Sequence, residues 1–403
     1  MAPLVAPPSS TVPQEAKKRE SLRVFEFFSG IGGMRLALEA AILEHPLYTV
    51  GECTAVECSD ICNKCYEANF SADNSRCLQV NIESLHIEKI DGQADVWTLS
   101  PPCQPFTTTK GALQKGSEDN RSKGFAHVMS MLTLTSLPPR WIFFENVKGF
   151  RGSSVHSEWA SVLQAKGYVW EEFLLSPTHL RRPNQRMRFY MACELDAKPG
   201  EGRLRREIHT AAIPYALLGS ATAALEDDED DENDEGGEGE NETSPFPAAV
   251  APPGVKRLHN WVLTDESLKS DLGESNFAEL QVPDRILSKP WAQGLSYVGV
   301  DDRITFCFTS AYGKTFHKSS GSLFHLRISR GKDVPRPDDM SSVHSGDVRL
   351  FAPNELLGLF GFPERYRFPE DMKMRHRFKL IGQSVNVAVV EHVMRSVFWR
   401  KAE

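Results

Sequence analysis

The stretch Arg23-Val24-Phe25-Glu26-Phe27-Phe28-Ser29-Gly30-Ile31-Gly32-Gly33-Met34 decides the fold. Its apolar run from Arg23 to Phe28 predicts a buried strand, its glycines a tight turn, and the apolar periodicity from Met34 to about Leu43 a helix. Strand, glycine turn and helix in that order open a nucleotide-binding α/β fold. The glycines let the backbone approach a ligand closely, and the helix start offers amide groups to a carboxylate or phosphate. The spacing is not the dinucleotide pattern G-x-G-x-x-G, because Gly33 follows Gly32 directly and Ala37 stands at a later site. That argues against a nicotinamide or flavin dehydrogenase. Thr54-Ala55-Val56 predicts a second strand, ending in Glu57, an acidic residue where a ribose hydroxyl pair needs an acceptor.

Further along, Arg140-Trp141-Ile142-Phe143-Phe144 predicts another buried strand, with Glu145 and Asn146 at its carboxyl end, the ligand-binding edge of a parallel sheet. Alternating strands and helices from Arg23 to Cys193 predict an α/β, doubly wound, mostly parallel sheet. Arg186 and Arg188 stand on strand spacing and so share one face, suited to an anionic or carbonyl-rich ligand. Between these segments, Asp95 to Leu99 leads into Ser100-Pro101-Pro102-Cys103-Gln104-Pro105-Phe106-Thr107. Three prolines fix the backbone around one thiol at a strand end, which is how a nucleophile is mounted.

Cys62 and Cys65 have a zinc-like spacing, beside Cys53 and Cys58. A helix after Glu57 puts them one turn apart, and no paired histidine or second CxxC follows, so no metal is expected. No apolar stretch reaches about 18 residues, so no membrane span is expected either.

The formal net charge of −8 argues against a nucleic-acid partner until the run from Glu226 to Glu242 is set aside. That run holds twelve acidic residues and no Lys or Arg; without it 42 acidic groups face 46 basic ones, a net of +4. Such a run repels itself and is expected to be a disordered insert. Residues 1–20 are expected to be a flexible tail, with Lys17-Lys18-Arg19 a weak hint of nuclear entry.

Taken in order, FFSGIGGMRLALE, SPPCQPFT, ENVKGF, PNQRMRFY, RLFAPNELLGLFGFP and IGQSVNV resemble the ordered signatures of cytosine carbon-5 methyltransferases, across about residues 22–398. Glu172 to Pro177, and Cys307-Phe308-Thr309 followed by Tyr312-Gly313, resemble the branch named DNA methyltransferase two. That branch carries a DNA-enzyme catalytic domain but methylates cytosine 38 in the anticodon loop of aspartate transfer RNA. The resemblance implies S-adenosylmethionine as methyl donor, leaving as S-adenosylhomocysteine. It implies transfer RNA as partner, with DNA as the alternative, and a monomer of cytoplasm and nucleus.

The chemistry accounts for these residue types. Cytosine carbon 5 is a poor nucleophile, so a thiolate must first add to carbon 6, and Cys103 is the candidate. A carboxyl group holding the ring nitrogen and exocyclic amine makes the ring electron-poor, which is the role for Glu145. By resemblance, Arg186 and Arg188 steady the cytosine carbonyl and the pocket, Asn146 and Gln104 support them, and Cys307 lies near the active site. For the donor, the resemblance implies Ile31, Gly32 and Gly33 at the methionine portion, Glu57 at the ribose, Ile82 and Glu83 at the adenine, Ser100 on the floor, and Gln383.

Two departures stand out. The late signature usually reads Gly-Asn-Ser, whereas this chain has Gly382-Gln383-Ser384, and Phe316 to Leu323 lacks the acidic residue and Gly-Thr-Gly of the branch. Gln383 alone motivates a third reading, a catalytically weak nucleic-acid-binding protein. The resemblance further implies that residues 21–196 form the first part of a catalytic domain. A smaller target-recognition lobe then spans 197–368, and 369–403 returns to the catalytic domain.

Overall fold

The computed structural model describes residues 19–71, 74–102, 123–196, 203–208, 255–326 and 344–399. Cys103, Gln104, the acidic run 226–242 and nearly all of the expected tail lie outside these residues. The first part alternates β1 (Glu20–Phe27), α1 (Gly33–Ile42), β2 (Tyr48–Val56), α2 (Asp60–Phe70), β3 (Ser75–Leu78) and β4 (Val96–Leu99). It continues through α3 (Lys123–Leu134), β5 (Trp141–Val147), α4 (Ser154–Ala165), β6 (Tyr168–Leu175), β7 (Arg188–Leu195) and β8 (Arg203–Ile208). These strands form one sheet in the order β3-β2-β1-β4-β5-β7-β6-β8. Neighbours are parallel except β7, which runs antiparallel to both β5 and β6. The doubly wound, mostly parallel sheet expected from the sequence is the sheet observed.

Side chains alternate across a strand, and the sheet sorts them into two cores. Phe25, Phe27, Trp97, Ile142 and Phe144 face α3 and α4. Leu22, Val24, Val96, Trp141 and Phe143 face α1 and the end of the chain. Three boundaries differ from the sequence reading. β1 starts at Glu20 and stops at Phe27, so Phe28 belongs to the turn. β5 continues through Glu145 and Asn146 to Val147, because β7 pairs along it as far as Val147↔Arg188. Arg186 precedes β7, so it and Arg188 do not share a strand.

Among the residues described further on are α5 (Asp265–Leu272), α6 (Glu274–Ala278), α7 (Asp284–Leu287), β9 (Tyr297–Val298), β10 (Leu323–His325) and β11 (Val348–Arg349). The three strands form a second sheet in the order β11-β10-β9. The RLFAPNELL signature is structural here. Arg349 is fully buried and grips the Glu355 carboxylate with both terminal nitrogens at 2.9 Å, while that carboxylate also accepts the amides of Ala352 and Leu263. A buried charge pair persists only when its remaining valences are satisfied in this way.

The chain ends in α8 (Pro353–Phe360), α9 (Met374–Gln383) and α10 (Val387–Val397). Asn386 caps α10 by accepting the Val389 amide, and Val387, Val390, Met394 and Val397 form its buried stripe. α10 lies on α1, where Ala37 and Ala41 leave room for it, and Trp399 meets Trp141 edge-on at 5.9 Å. The last helix thus closes onto the first strand–turn–helix unit. No helix among the described residues is long and apolar enough to cross a membrane.

Candidate active site

Parallel strands bring their carboxyl ends to one edge, and β1, β2, β3 and β4 deliver Phe28 to Gly33, Glu57, Ile82 and Ser100 there. Gly30 and Gly32 both adopt left-handed backbone angles, φ 53° and 82°. At Gly32 a Cβ would lie 2.3 Å from the Phe70 ring, and at Gly33 2.8 Å from Val385 Cγ2 and 3.0 Å from Ser384 Oγ. The turn is therefore clasped between α2 and the Gly382-Gln383-Ser384 segment, a space that only glycine leaves open. Tyr366 Oη donates to the Ile31 carbonyl at 2.9 Å, holding the turn from its other side.

Glu57 receives the Gly30 amide on one carboxylate oxygen at 3.1 Å and the Ser59 amide on the other at 2.9 Å. Ser100 Oγ donates to the Phe28 carbonyl at 3.2 Å and ties the β1 turn to the end of β4. Ile82 is buried, whereas Glu83 beside it is exposed. Phe28 was not among the expected site residues, yet it holds φ 56°, a conformation that is strained for an aromatic residue. Its ring and Ile82 converge on Gly124, whose Cβ would lie 3.3 Å from one and 3.2 Å from the other. The sequence carries a signal for it, since Phe28 abuts a turn that must reverse direction sharply, although the apolar period of the strand extends over it.

A second cluster sits at the carboxyl end of β5 and the start of β7. Glu145 follows Phe143 on one face of β5, and Asn146 follows Phe144 on the other. Asn146 Nδ2 donates to the Pro101 carbonyl at 3.3 Å, which ties β5 to the turn leading to Cys103. Glu145 is 8% exposed and lies 3.6 Å from Arg188 Nε. Burial pushes its carboxyl above the usual range, against the opposing pull of the Arg188 and Arg186 guanidiniums.

Arg186 reaches across the chain. Its Nη1 donates to Cys307 Sγ at 3.4 Å and to the Phe308 carbonyl at 3.1 Å, and its Nη2 to the carbonyls of Gly382 and Ser384 at 3.2 and 2.8 Å. Arg188 Nη2 approaches the same sulfur at 4.0 Å. Burial pushes the Cys307 thiol up, but the two guanidiniums outweigh it and hold the thiol below its ordinary value. Glu145, Arg186, Arg188 and Cys307 thus form one constellation, although Cys307 comes from a loop more than a hundred residues downstream. Gly382 completes it: a Cβ there would lie 2.3 Å from the Thr309 carbonyl carbon and oxygen.

A buried carboxyl able to hold a proton, two guanidiniums beside it and a segment at residues 100–102 that leads to Cys103 and is tied to the same strand can bind and activate a planar, carbonyl-bearing ring. A family model for C-5 cytosine-specific DNA methylases matches residues 22–399. The chain belongs to that family. Among its relatives is a rat protein named tRNA (cytosine(38)-C(5))-methyltransferase, 29% identical over 93% of this chain and 98% of that one. A Dictyostelium discoideum protein named DNA (cytosine-5)-methyltransferase is 30% identical over 93% of this chain and 94% of its own. The crystal structure of the S. pombe Dnmt2 methyltransferase superposes with a TM-score of 0.68 at 25% identity, over 94% of this chain and 98% of that one.

C-5 cytosine methylases are methyl-transferring enzymes, and the turn of this one fits an adenosyl methyl donor. Ser29 Oγ is buried without a partner among the described residues, and the start of α1 directs amides toward the turn. Phe28 and Ile82 offer apolar flanks to a base, and Glu57 offers a carboxylate to a diol. Gln383, at the end of α9, is exposed, one residue from Ser384, which touches the turn. In this methylase Cys103 and Gln104 lie outside the described residues, so the expectation for them rests on the sequence. Cys62 and Cys65 are both buried in α2, and among the described residues no group of three His, Cys, Asp or Glu could hold a metal ion.

Proposed function

We propose that the chain methylates carbon 5 of a cytosine in transfer RNA, cytosine 38 of the aspartate anticodon loop, through a covalent adduct at Cys103. The observation that carries this reading is the reach of the similarity to the rat transfer-RNA enzyme, over 93% of this chain and 98% of that one. When bound, S-adenosylmethionine supplies an electrophilic methyl group. The residues named do the rest.

The Cys103 thiolate adds to carbon 6, which makes carbon 5 nucleophilic; after methylation a base takes the carbon 5 proton, its electron pair re-forms the C5–C6 double bond and the thiolate leaves. Glu145 holds its proton against the ring nitrogen and accepts from the exocyclic amine, which its raised pKa favours. Arg188 stands beside Glu145 and directs positive charge at the ring carbonyl, while Arg186 is spent on holding Cys307 and the Gly382–Ser384 segment in place. Gly30 to Gly33, Glu57, Phe28, Ile82 and Ser100 would hold the donor. An anticodon loop suits this site, since a base already outside a duplex is extruded with less energy.

The Dictyostelium relative named for DNA makes duplex DNA the second reading. The test is incubation with radiolabelled donor and, in parallel, an aspartate transfer RNA transcript and unmethylated duplex DNA, with Cys103→Ala as control. Label in the RNA alone, lost in the variant, is the expected result. Label in the DNA alone would overturn it, and label in neither would favour the catalytically weak reading.

A further inference from the structure

Glu26 takes no part in the chemistry above, yet it is the one buried carboxylate of β1, fully enclosed in the row that continues Leu22 and Val24. One oxygen accepts the Arg35 amide at 3.3 Å, so the strand supplies an acceptor to the first turn of α1, whose N-cap is Gly32 and has no side chain to do so. The other oxygen accepts from Tyr66 Oη at 3.0 Å. Tyr66 and Phe70 pack together on α2, with ring centroids 4.6 Å apart, and both close on Gly32: a Cβ there would lie 3.2 Å from Tyr66 Cδ2 and 2.3 Å from Phe70. Arg35 lies over the Phe70 ring at 4.4 Å and pairs with Glu39 at 2.7 Å. One carboxylate therefore joins the strand before the glycine turn, the helix after it and the helix beneath it.

We propose that Glu26, acting through Tyr66 and the Arg35 amide, is a positioning residue that sets the Gly30–Gly33 turn for the methyl donor. The inference rests on the reading that this turn receives the donor. The seat is also sensitive to protons. Both donors point at Glu26, which suits an ionised, acceptor-only carboxylate. Once protonated, Glu26 needs Tyr66 to turn its hydroxyl toward Cys53 Sγ, 3.3 Å away. Burial pushes the carboxyl up to about 7, opposed by the Tyr66 hydrogen bond and Arg35. The groups facing the cluster are Arg35 and Glu39 on α1, Tyr66 on α2, Cys53 on β2, Cys77 on β3 and Tyr366 before α9. Burial holds the cysteines and tyrosines above their ordinary values, out of the neutral range.

The test is calorimetric binding of S-adenosylmethionine to the full chain between pH 6 and 8, beside transfer-RNA binding and melting temperature. Tyr66→Phe keeps the ring on Gly32 and removes only the hydroxyl. It should weaken donor binding about five- to tenfold at pH 8, the value of one or two hydrogen bonds, and leave RNA affinity within about twofold. Wild-type donor affinity should fall about three- to fivefold from pH 8 to pH 6, and Glu26→Gln should flatten that dependence. Because the ligand's own amino group titrates nearby, the difference between the two proteins is the measure. Donor binding by Tyr66→Phe and Glu26→Gln indistinguishable from wild type at every pH would overturn this inference alone, as would parallel loss of donor binding, RNA binding and stability. A wild-type chain that binds no donor would overturn the donor reading and this inference with it.

Discussion

At the scale of single residues, Glu145 meets two opposing demands. Burial raises its proton affinity while Arg188, 3.6 Å away, and Arg186 lower it, and burial wins. Glu145→Gln keeps the shape but not the transferable proton, so kcat should fall about 100-fold or more with donor affinity unchanged, measured by single-turnover labelling and calorimetry. The stability consequence has a definite sign. A carboxyl whose pKa is raised in the folded state stabilises fully below its ordinary value of 4.5, and that contribution is lost as pH rises through the folded value. Melting of Glu145→Gln and wild type should therefore diverge in favour of the variant as pH rises from 4 to 8. A constant difference would mean that Glu145 ionises as in water. Arg186 is the neighbour that cannot be exchanged for its nearest chemical equivalent. Its fork spans Cys307, Phe308, Gly382 and Ser384, and a lysine reaches at most part of that set. Arg186→Lys should destabilise by about 2–4 kcal/mol in urea unfolding, against under about 1 kcal/mol expected for a side chain with only one of those contacts.

At the scale of elements, the site depends on close approaches at Gly32, Gly33 and Gly382 that glycine alone permits. Gly382 lets the end of α9 touch the Thr309 backbone, and a Cβ 2.3 Å from those atoms must push the Cys307 loop away. Gly382→Ala should cost about 2–3 kcal/mol and move Cys307 off the two guanidiniums. Slower reaction of Cys307 with a thiol reagent at pH 7, measured by mass spectrometry, would follow from its loss of that charge, and an unchanged rate would refute the geometry. These elements also mark what the sequence made legible. β1, the glycine turn and α1 could be read because an apolar run, a cluster of glycines and a 3.6-residue period follow one another locally. Phe28 and Glu26 in the same stretch fit the strand period, and nothing in that period marks the turn each of them serves. The antiparallel β7 was beyond local reading, because its partners on both sides are set by tertiary packing. So was the meeting of Arg186 with Cys307 and Ser384: no spacing encodes a contact between residues so far apart in the chain.

At the scale of the whole molecule, charge and fold pull against each other. The chain carries −8, but the sequence outside Glu226–Glu242 carries +4, so twelve negative charges on one short stretch reverse the sign of the rest. A phosphate backbone is attracted by the positive charge and repelled by the negative stretch, and counterions screen both over about 8–10 Å at physiological salt. The acidic stretch should therefore compete with RNA for the same cations, most strongly at low ionic strength. Deleting 226–242 should strengthen transfer-RNA binding by about tenfold at 50 mM salt and by less than about twofold at 300 mM, with a steeper dependence of log Kd on log salt, read by filter binding across a salt series. Single-turnover methylation at saturating RNA should not change, because none of the residues placed at the catalytic edge lies in the deleted stretch. Equal affinities of the two proteins at 50 mM would show that the acidic stretch does not reach the cations that bind RNA, and a lower saturating rate would show that it contributes to the site itself.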